Sequence, residues 1–228
     1  MKKIIIALIF IQFLTFSLWA QSADDFSVSV TRDGTGIVIT GYVGSSTTVN
    51  IPSNIQGLPV REIGQRAFRG TRIISVSIPA GVTIIGANAF SGSDRLHTVN
   101  IPNTVVSIGR EAFQGCSALT SITIPRSVTV IEPNAFANTG LRSVTWPASV
   151  AEIADYMFRE CANLQSVVLP EGVTRIGNGA FYRCPALTEI NMPSTLTNII
   201  GTLAFSGCTA LPLGTQAEIR RAGYRGNF

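Results

Sequence analysis

Charge is scarce in this chain of 228 residues, in which charged residues make up 13% and hydrophobic residues 46%. A composition this apolar excludes an intrinsically disordered chain, and so little charge excludes a coiled coil. The only two lysines are Lys2 and Lys3, and the densest group of arginines is Arg220, Arg221 and Arg225, which we interpret as a solvated helix face. Because the chain has no basic patch, we expect no nucleic-acid partner.

Catalytic side chains are also few, since the chain contains one histidine, His97. No cysteine or second histidine lies at the spacing of a metal site. Carboxylates such as Glu111 and Glu152 are scattered, so no pair is suited to acid–base work. The glycines recur as turn residues and form no phosphate-binding loop. We therefore expect a protein that is not an enzyme and that binds no metal and no cofactor.

Long hydrophobic runs are absent beyond the N-terminus. Residues 1–20, MKKIIIALIFIQFLTFSLWA, combine a positive start, an apolar stretch and a small residue, Ala20, before polar Gln21. This is the layout of a secretory signal peptide. An uncleaved membrane anchor is the alternative, but the run is short for a spanning helix and contains Gln12. We expect export across the inner membrane to the cell surface or the extracellular space, with the periplasm as the alternative and no stable membrane span after cleavage.

A dipeptide of an apolar residue and proline recurs along the chain, with a period of 22 or 23 residues after its first interval. It stands at Ile51-Pro52, Ile78-Pro79, Ile101-Pro102, Ile124-Pro125, Trp146-Pro147, Leu169-Pro170 and Met192-Pro193. Phenylalanine recurs in step, at Phe68, Phe90, Phe113, Phe136, Phe158, Phe181 and Phe205. A period of this length with fixed apolar positions is typical of a solenoid. We expect about seven stacked turns with these phenylalanines in the core.

The parts of one turn predict short strands joined by tight turns. Residues 119–125, LTSITIP, alternate around β-branched residues and predict a strand that pairs in parallel with its equivalents and ends at proline. Residues 128–132 and 173–177 predict a second short strand on the far side. The Ala-Phe segment is too short for a long helix and predicts one helical or 3₁₀ turn.

Both ends of the array depart from the repeat. Residues 24–50 alternate with period two around Asp33-Gly34, which predicts a β-hairpin that covers the first open sheet edge. At the other end, residues 215–221 predict a short capping helix with Gly223 just past its end. The expected organisation is a signal peptide at 1–20, an N-terminal β cap at 21–50, repeats at 51–211 and a C-terminal cap at 212–228.

The four cysteines occupy one position of the repeat, three residues after phenylalanine. They are Cys116, Cys161, Cys184 and Cys208. This placement predicts small buried side chains in a ladder. Disulfides between adjacent turns are the alternative, since the expected compartment is oxidising, although parallel Cβ directions would strain them. A catalytic pair of Cys116 with His97 requires an exposed thiolate, which the inward position disfavours.

The copies share the pattern IP-x-x-V-x-x-I-G-x-x-A-F-x-x-C-x-x-L, and residues 51–68 read IPSNIQGLPVREIGQRAF. This pattern resembles the BspA-like class of leucine-rich repeats, found in bacterial surface antigens including treponemal ones, over about residues 50–211. The resemblance implies a mainly β solenoid of the α/β leucine-rich-repeat type, right-handed, with a parallel sheet on one face and turns of 22–24 residues. It also implies a secreted or surface protein that binds other proteins, and the family has been linked to adhesion to host matrix proteins such as fibronectin, fibrinogen or laminin.

The parallel sheet of a curved solenoid usually forms its concave, ligand-binding surface. The outward positions of the predicted strands carry small, nearly uncharged side chains. The first row, called the outer row below, comprises Ser77, Asn100, Thr123, Thr145, Val168 and Asn191. The second row comprises Ser75, Thr98, Ser121, Ser143, Ser166 and Glu189. We expect the outer row to contact a protein: a host matrix protein such as fibronectin in adhesion or, for a periplasmic structural scaffold, a bacterial partner.

Overall fold

Sixteen short strands and one α-helix wind through residues 21–199 and 201–228, which are the residues that the computed structural model describes. The signal peptide predicted at 1–20 lies outside the described residues. A short 3₁₀ helix at Ala23–Asp25 precedes the first strand. The elements in chain order are β1 (Phe26–Val30), β2 (Ile37–Tyr42), β3 (Thr48–Asn50), β4 (Asn54–Ile55), β5 (Leu58–Ile63), β6 (Ser75–Ser77), β7 (Ile84–Ile85), β8 (Thr98–Asn100), β9 (Ser107–Ile108), β10 (Val130–Ile131), β11 (Ser143–Thr145), β12 (Glu152–Ile153), β13 (Ser166–Val168), β14 (Arg175–Ile176), β15 (Glu189–Ile190), β16 (Asn198–Ile199) and α1 (Leu213–Arg221).

Within one turn the chain crosses two faces of the solenoid, and most turns add one short strand to each face. The first face contains β3, β6 and β8, and then β11, β13 and β15. The second face contains β5, β7, β9 and β10, and then β12, β14 and β16. All pairs between turns are parallel, because equivalent segments of consecutive turns run in the same direction. The predicted mainly β solenoid of about seven turns is confirmed.

The repeated phenylalanines form one continuous stack through the core. Consecutive rings lie 5.1–5.9 Å apart between centroids, with interplanar angles of 3–14°. All seven side chains are 0% exposed, which confirms their predicted core position. Burying each ring contributes roughly 1.5–3 kcal/mol before the entropy cost. Tyr42 continues the stack beyond Phe68, and Tyr224 closes it edge-on against Phe205.

The turns that carry these phenylalanines are not helical, so the predicted helical or 3₁₀ turn is wrong. Backbone φ is positive two residues before six of the phenylalanines and two residues after all seven. Around Phe68 these residues are Arg66, with φ 61°, and Gly70, with φ 66°. The Ala67 amide donates to the Gly64 carbonyl across the first turn. A left-handed third residue marks a type II β-turn, whereas a 3₁₀ turn needs negative φ throughout.

The N-terminal hairpin forms as predicted. Strands β1 and β2 pair antiparallel on either side of Gly34, whose φ is 74°. Strand β2 then pairs in parallel with β5 and covers the edge of the second face. After Pro52 the first repeat is longer than the others, and the added residues form a second small hairpin. In it, β4 pairs antiparallel with the start of β5 around Gln56 and Gly57, both at positive φ.

The C-terminal helix also forms as predicted, but it begins two residues earlier, at Leu213. Pro212 precedes it with extended backbone, at φ −60° and ψ 148°. Gly223, at φ 106°, lies just past its end. The helix buries Ile219 against the last turn, and Arg220 packs 5.0 Å from the ring centroid of Phe228. The helix therefore covers the end of the core as a cap.

The strand predicted at 119–125 does not form, and this prediction is wrong. The first face divides there, because one sheet ends at β8 and the next begins at β11. No backbone hydrogen bond joins residues 121–124 to a neighbouring turn within the described part of the chain. The second face divides at the same turn, between β10 and β12. We call this shared break the interruption.

The interruption coincides with a shorter turn and a larger core side chain. The segment from Phe136 to Trp146 is one residue shorter than its counterpart in the preceding turn, from Phe113 to Ile124. Trp146 occupies a position that usually holds isoleucine and packs edge-on against Phe158, with centroids 5.8 Å apart. The spacing of 5.9 Å between Phe136 and Phe158 is the widest in the stack. The shorter turn and the indole therefore coincide with the break in both faces, and the β-propensity of residues 121–124 does not by itself produce pairing there.

Candidate protein-binding face

Strand register places the outer row on the outside of the first face. Ser77 lies beside Asn100 across β6 and β8, and Thr145 lies beside Val168 across β11 and β13. The residue before each of them points inward, as Val144 does at 3% exposure. Side chains alternate along a strand, so the outer row faces solvent. Ser77 is half-buried, and the other five members of the row are exposed.

Two members of the outer row, Thr123 and Asn191, do not lie in strands. Thr123 lies within the interruption and belongs to no strand. Asn191 follows β15, and its side chain closes the sheet by bonding to Leu169: the Leu169 amide donates to Asn191 Oδ1 at 2.8 Å, and Asn191 Nδ2 donates to the Leu169 carbonyl at 2.7 Å. The outer row is therefore divided into two registered segments with a gap at Thr123. The side-chain amide of its last member, Asn191, already makes two hydrogen bonds to Leu169.

The second row accompanies the first in register. Ser75 lies beside Thr98, and Ser143 lies beside Ser166, which in turn lies beside Glu189. Most of these side chains are hydroxyls or amides, which donate and accept hydrogen bonds without a fixed charge. Val168 is the large apolar exception, at 51% exposure. The face offers adaptable hydrogen bonding around one apolar contact.

A groove of about 690 Å³ opens on the first face at the interruption. Its apolar lining comes from Ile122, Ile124, Trp146, Pro147, Ala148 and Pro170. Its polar lining comes from Ser121, Thr123, Arg126, Ser143 and Thr145. Sequence reasoning missed this groove, although the shortened turn and the tryptophan at an isoleucine position were visible signals.

A second depression, of about 530 Å³, lies between the C-terminal cap and the last strands of the first face. Val168, Glu189 and Asn191 line one wall, and Thr215 and Glu218 of α1 line the other. The cap helix therefore borders the end of the outer row.

The cysteines are buried and free, as the ladder prediction requires. Each Sγ donates to the carbonyl oxygen of the phenylalanine one turn back, as Cys116 does to Phe90 at 3.2 Å. Ser93 makes the same bond to Phe68 at 2.6 Å. Thr71 and Thr139 hold this position in the two turns that are one residue shorter after phenylalanine, and they donate to the carbonyl of their own turn's phenylalanine. The ladder therefore satisfies a buried carbonyl in each of these turns.

Burial makes these thiols poor nucleophiles. It raises the pKa of Cys116 to about 12 and also raises the pKa of Cys161. A hydrogen bond with Cys208, together with burial, raises the pKa of Cys184. His97 is exposed, and its Nδ1 lies 2.7 Å from the Arg95 carbonyl. Because Cys116 stays protonated at neutral pH, the geometry does not support a thiolate reaction there.

Two further features bear on ligands and membranes. Among residues 21–199 and 201–228, no group of three or more histidine, cysteine, aspartate or glutamate side chains is arranged to hold a metal ion. Within the same residues, no helix has both the length and the apolar character that crossing a membrane requires.

Comparison with known proteins identifies the repeat. The family model for the BspA type leucine rich repeat region matches in six copies, over residues 42–97 and 83–212. The solved structure of a leucine-rich repeat protein from T. pallidum is 38% identical, with a TM-score of 0.88, over 92% of this chain and 99% of that one. Among curated proteins, none matches the chain.

A leucine-rich cell surface protein from Faecalibacterium prausnitzii is 39% identical, with a TM-score of 0.76. The match covers 86% of this chain and 54% of that protein, so this chain spans about half of that relative's length. The family model alone covers well over half of the chain, from residue 42 to residue 212. The chain therefore belongs to the BspA-type leucine-rich repeat family.

Proposed function

We propose that this protein is an exported, non-enzymatic adhesin that binds a host extracellular-matrix or cell-surface protein through its first face. Leucine-rich repeat proteins mediate protein–protein interactions, and their folds are typically non-enzymatic scaffolds. The outer row carries the proposal: two registered segments of small, uncharged side chains that stand outward around exposed Val168. A partner can approach such a face closely, because no long charged side chain in the row must be desolvated.

The surface location has its own support. Residues 1–20 have the layout of a signal peptide, and the F. prausnitzii relative is described as a cell surface protein. Protease treatment of intact cells, with a periplasmic protein as control, tests the location. We expect this protein to be cleaved while the control survives. Survival of both until lysis would contradict surface exposure and would favour a periplasmic scaffold that binds a bacterial partner.

A matched pair of valines tests the binding face. Val168 on the first face and Val130 on the second face are 51% and 47% exposed, so Val168→Arg and Val130→Arg introduce the same charge at similar exposure. Immobilised fibronectin, fibrinogen and laminin are the ligands, and surface plasmon resonance gives the affinities. We expect saturable binding to one of them, weakened at least about tenfold by Val168→Arg and unchanged by Val130→Arg. Equal effects of both substitutions, or no saturable binding, would reject the proposal.

A further inference from the structure

The N-terminal hairpin covers the edge of the second face with β2 and leaves β1 as the new outermost strand. Within the described part of the chain, no strand pairs with the outer side of β1. Exposed strand edges are normally shortened, charged or interrupted by proline, because an open edge is a template for another chain. Strand β1 is five residues long, reads FSVSV, and contains neither a charge nor a proline. It is therefore an unprotected edge.

Hydrogen bonds at the two ends of the hairpin show which backbone groups of β1 face outward. The Thr31 amide donates to the Gly36 carbonyl at 2.9 Å, and the Val43 amide donates to the Asp25 carbonyl at 2.8 Å. Residues 25 and 31 therefore direct their backbone groups towards β2. Backbone direction alternates along a strand, so the odd-numbered residues of β1 face β2 and the even-numbered residues face outward.

The outward residues of β1 are Phe26, Val28 and Val30. The Phe26 amide is already engaged, because it donates to the Ala23 carbonyl. For the amides of Val28 and Val30, the described residues offer no partner on the outer side of the strand. Backbone donors and acceptors are strong hydrogen-bonding groups, so these amides and the Phe26 carbonyl are available to a further strand.

This set of groups is complementary to itself in one antiparallel register. With Val28 opposite Val28 of a second copy, each Val28 amide donates to the carbonyl of the other. Each Val30 amide then donates to the Phe26 carbonyl of the other copy. Both free amides of each copy are thereby satisfied, and the engaged Phe26 amide is not needed.

Val30 adds an apolar contact to this register. Its side chain is 52% exposed. Because side chains alternate along a strand, it lies on the same side of β1 as Phe26 and Val28, which both pack against the hydrophobic core. In the symmetric register Val30 lies beside Phe26 of the second copy, which removes its exposed apolar surface from water.

Charges beyond the two ends of β1 favour the same register. Asp24 precedes the strand and Arg32 follows it, both are exposed, and the ion pairs of the described residues include neither. The symmetric register brings Asp24 of each copy towards Arg32 of the other. A shift by two residues towards the hairpin turn would instead bring Asp25 towards Asp33 of the other copy, and like charges repel. A shift the other way would require the engaged Phe26 amide.

We propose that two copies of this protein form a symmetric dimer in which their β1 strands pair antiparallel about Val28. The second faces of the two solenoids then continue into one sheet across the contact. Such an interface is isologous, with the same patch on both copies. A second copy fits this edge, since the hydrogen bonds, the valine contact and the charges of β1 all match its own sequence. The first face remains free on both copies, so the dimer presents the proposed binding face twice.

Sedimentation velocity of the purified protein over a range of concentrations tests for the dimer. We expect a monomer–dimer equilibrium with a dissociation constant of about 1–100 μM, because a single strand pair buries a small interface. Asp24→Arg and Arg32→Glu should each weaken association at least about tenfold, since like charges then meet at both ends of the contact. Arg142→Glu, at an exposed arginine in a central turn, is the control and should leave association unchanged.

Mixing the two variants tests the register. In a heterodimer of the Asp24→Arg chain with the Arg32→Glu chain, opposite charges meet at both ends, so the affinity should return to within about threefold of the parent chain. Recovery in the mixture requires that both variant chains are folded. The loss of association in each variant alone is then a charge effect and not a failure to fold.

Amide hydrogen exchange identifies the strand that pairs. The Val28 and Val30 amides should exchange about fourfold more slowly at ten times the dissociation constant than at a tenth of it, because the dimer protects them. The Ser29 amide, which faces β2, should show no dependence on concentration. This alternation along β1 distinguishes strand pairing from contact through side chains.

Three results would overturn the proposal. A protein that stays monomeric at about 500 μM would leave the β1 edge to a strand of a different protein. A dimer whose affinity is the same in the separate variants and in their mixture would place the contact elsewhere. A dimer in which the exchange of Val28 and Val30 is independent of concentration would exclude pairing through β1.

Discussion

The phenylalanine side of the solenoid is continuous, whereas both strand-bearing faces are broken at the interruption. Each phenylalanine from Phe68 to Phe181 donates its amide to a carbonyl of the next turn, at 2.7–3.2 Å. The bond from Phe136 to Met157 spans the interruption and, at 3.2 Å, is the longest of the series. Strand pairing on the two faces stops at this point. At the interruption, the turns are therefore held together mainly by the aromatic stack and its tight turns.

Short strands explain this difference. The strands that pair between turns on the two faces are mostly two or three residues long, so each contributes few ladder bonds. The phenylalanine rings are fully buried, and each contacts the ring above and below. Loss of strand pairing at one turn therefore removes little stabilisation, whereas loss of one ring opens a cavity in the middle of the stack. The predictions below test this ranking.

The largest effect is expected from Phe113→Ala, which removes a ring from the centre of the stack. It should lower the free energy of unfolding by about 3–5 kcal/mol, because the neighbouring rings cannot close the cavity. Urea denaturation measures the change. Val106→Ala, at a side chain that is 44% exposed on the second face, is the control and should cost no more than about 0.5 kcal/mol. Similar losses for both would contradict a dominant aromatic stack.

Amide hydrogen exchange should separate the intact first face from the interruption. Ile78 and Ile124 hold equivalent positions and are both buried, but only Ile78 donates its amide to a neighbouring strand. We expect the Ile124 amide to exchange about a hundredfold faster, since its exchange needs no opening of a ladder bond. The Phe113 and Phe136 amides, bonded on the phenylalanine side, should be as slow as that of Ile78. Equal protection at Ile78 and Ile124 would show that the Ile124 amide is hydrogen-bonded and would contradict a break in strand pairing at the interruption.

Gly140 tests the shortened turn itself. A Cβ at this position would overlap the carbonyl oxygen of Ser117, which the chain cannot move without shifting the turn below. We expect Gly140→Ala to cost about 1–3 kcal/mol in the free energy of unfolding. Gly214→Ala is the matched control, because no atom lies within 4 Å of its added Cβ and the residue is helical. The control should be neutral or stabilising by up to about 1 kcal/mol, and a comparable loss in both would reject steric crowding at Gly140.

The smallest effect is a pH dependence from Cys116. Burial raises its pKa to about 12, whereas an unfolded thiol has a pKa of about 8.5. Its contribution to stability is therefore fully present below the unfolded pKa and is lost as pH rises from about 8.5 towards 12. Between pH 8 and pH 10 we expect Cys116 to account for a loss of about 2 kcal/mol.

The Cys116→Ser variant isolates the pH-dependent contribution of the Cys116 thiol to the free energy of unfolding. Serine at the equivalent position, Ser93, already donates to the preceding phenylalanine carbonyl, so the fold is expected to accept it. Urea denaturation at pH 8 and pH 10 should show a smaller fall in unfolding free energy for the variant than for the parent chain. Identical falls would mean that the thiol does not ionise on unfolding in this range.

The period of the sequence determined the architecture. Proline and phenylalanine recurring every 22–24 residues after the first proline interval specify stacked turns with a buried aromatic ladder, because one turn cannot bury its own apolar face. Turn residues such as Asp33-Gly34 and Gly223 located the two caps, since their backbone preferences are local. The cysteine ladder followed from the same register. The outer row was placed by alternation alone, and four of its six members lie in paired strands.

Only the tertiary structure decided where the strands pair. Residues 119–125 have strand propensity, but pairing also requires that backbone donors and acceptors of neighbouring turns meet, and at residues 121–124 they do not. The left-handed residues around each phenylalanine were equally hidden, because Arg66, Glu160 and Arg183 carry no preference for positive φ. The engaged amide of Asn191 depends on contact with the turn before it. Local chemistry thus set the repeat, while contacts between turns decided which strands pair.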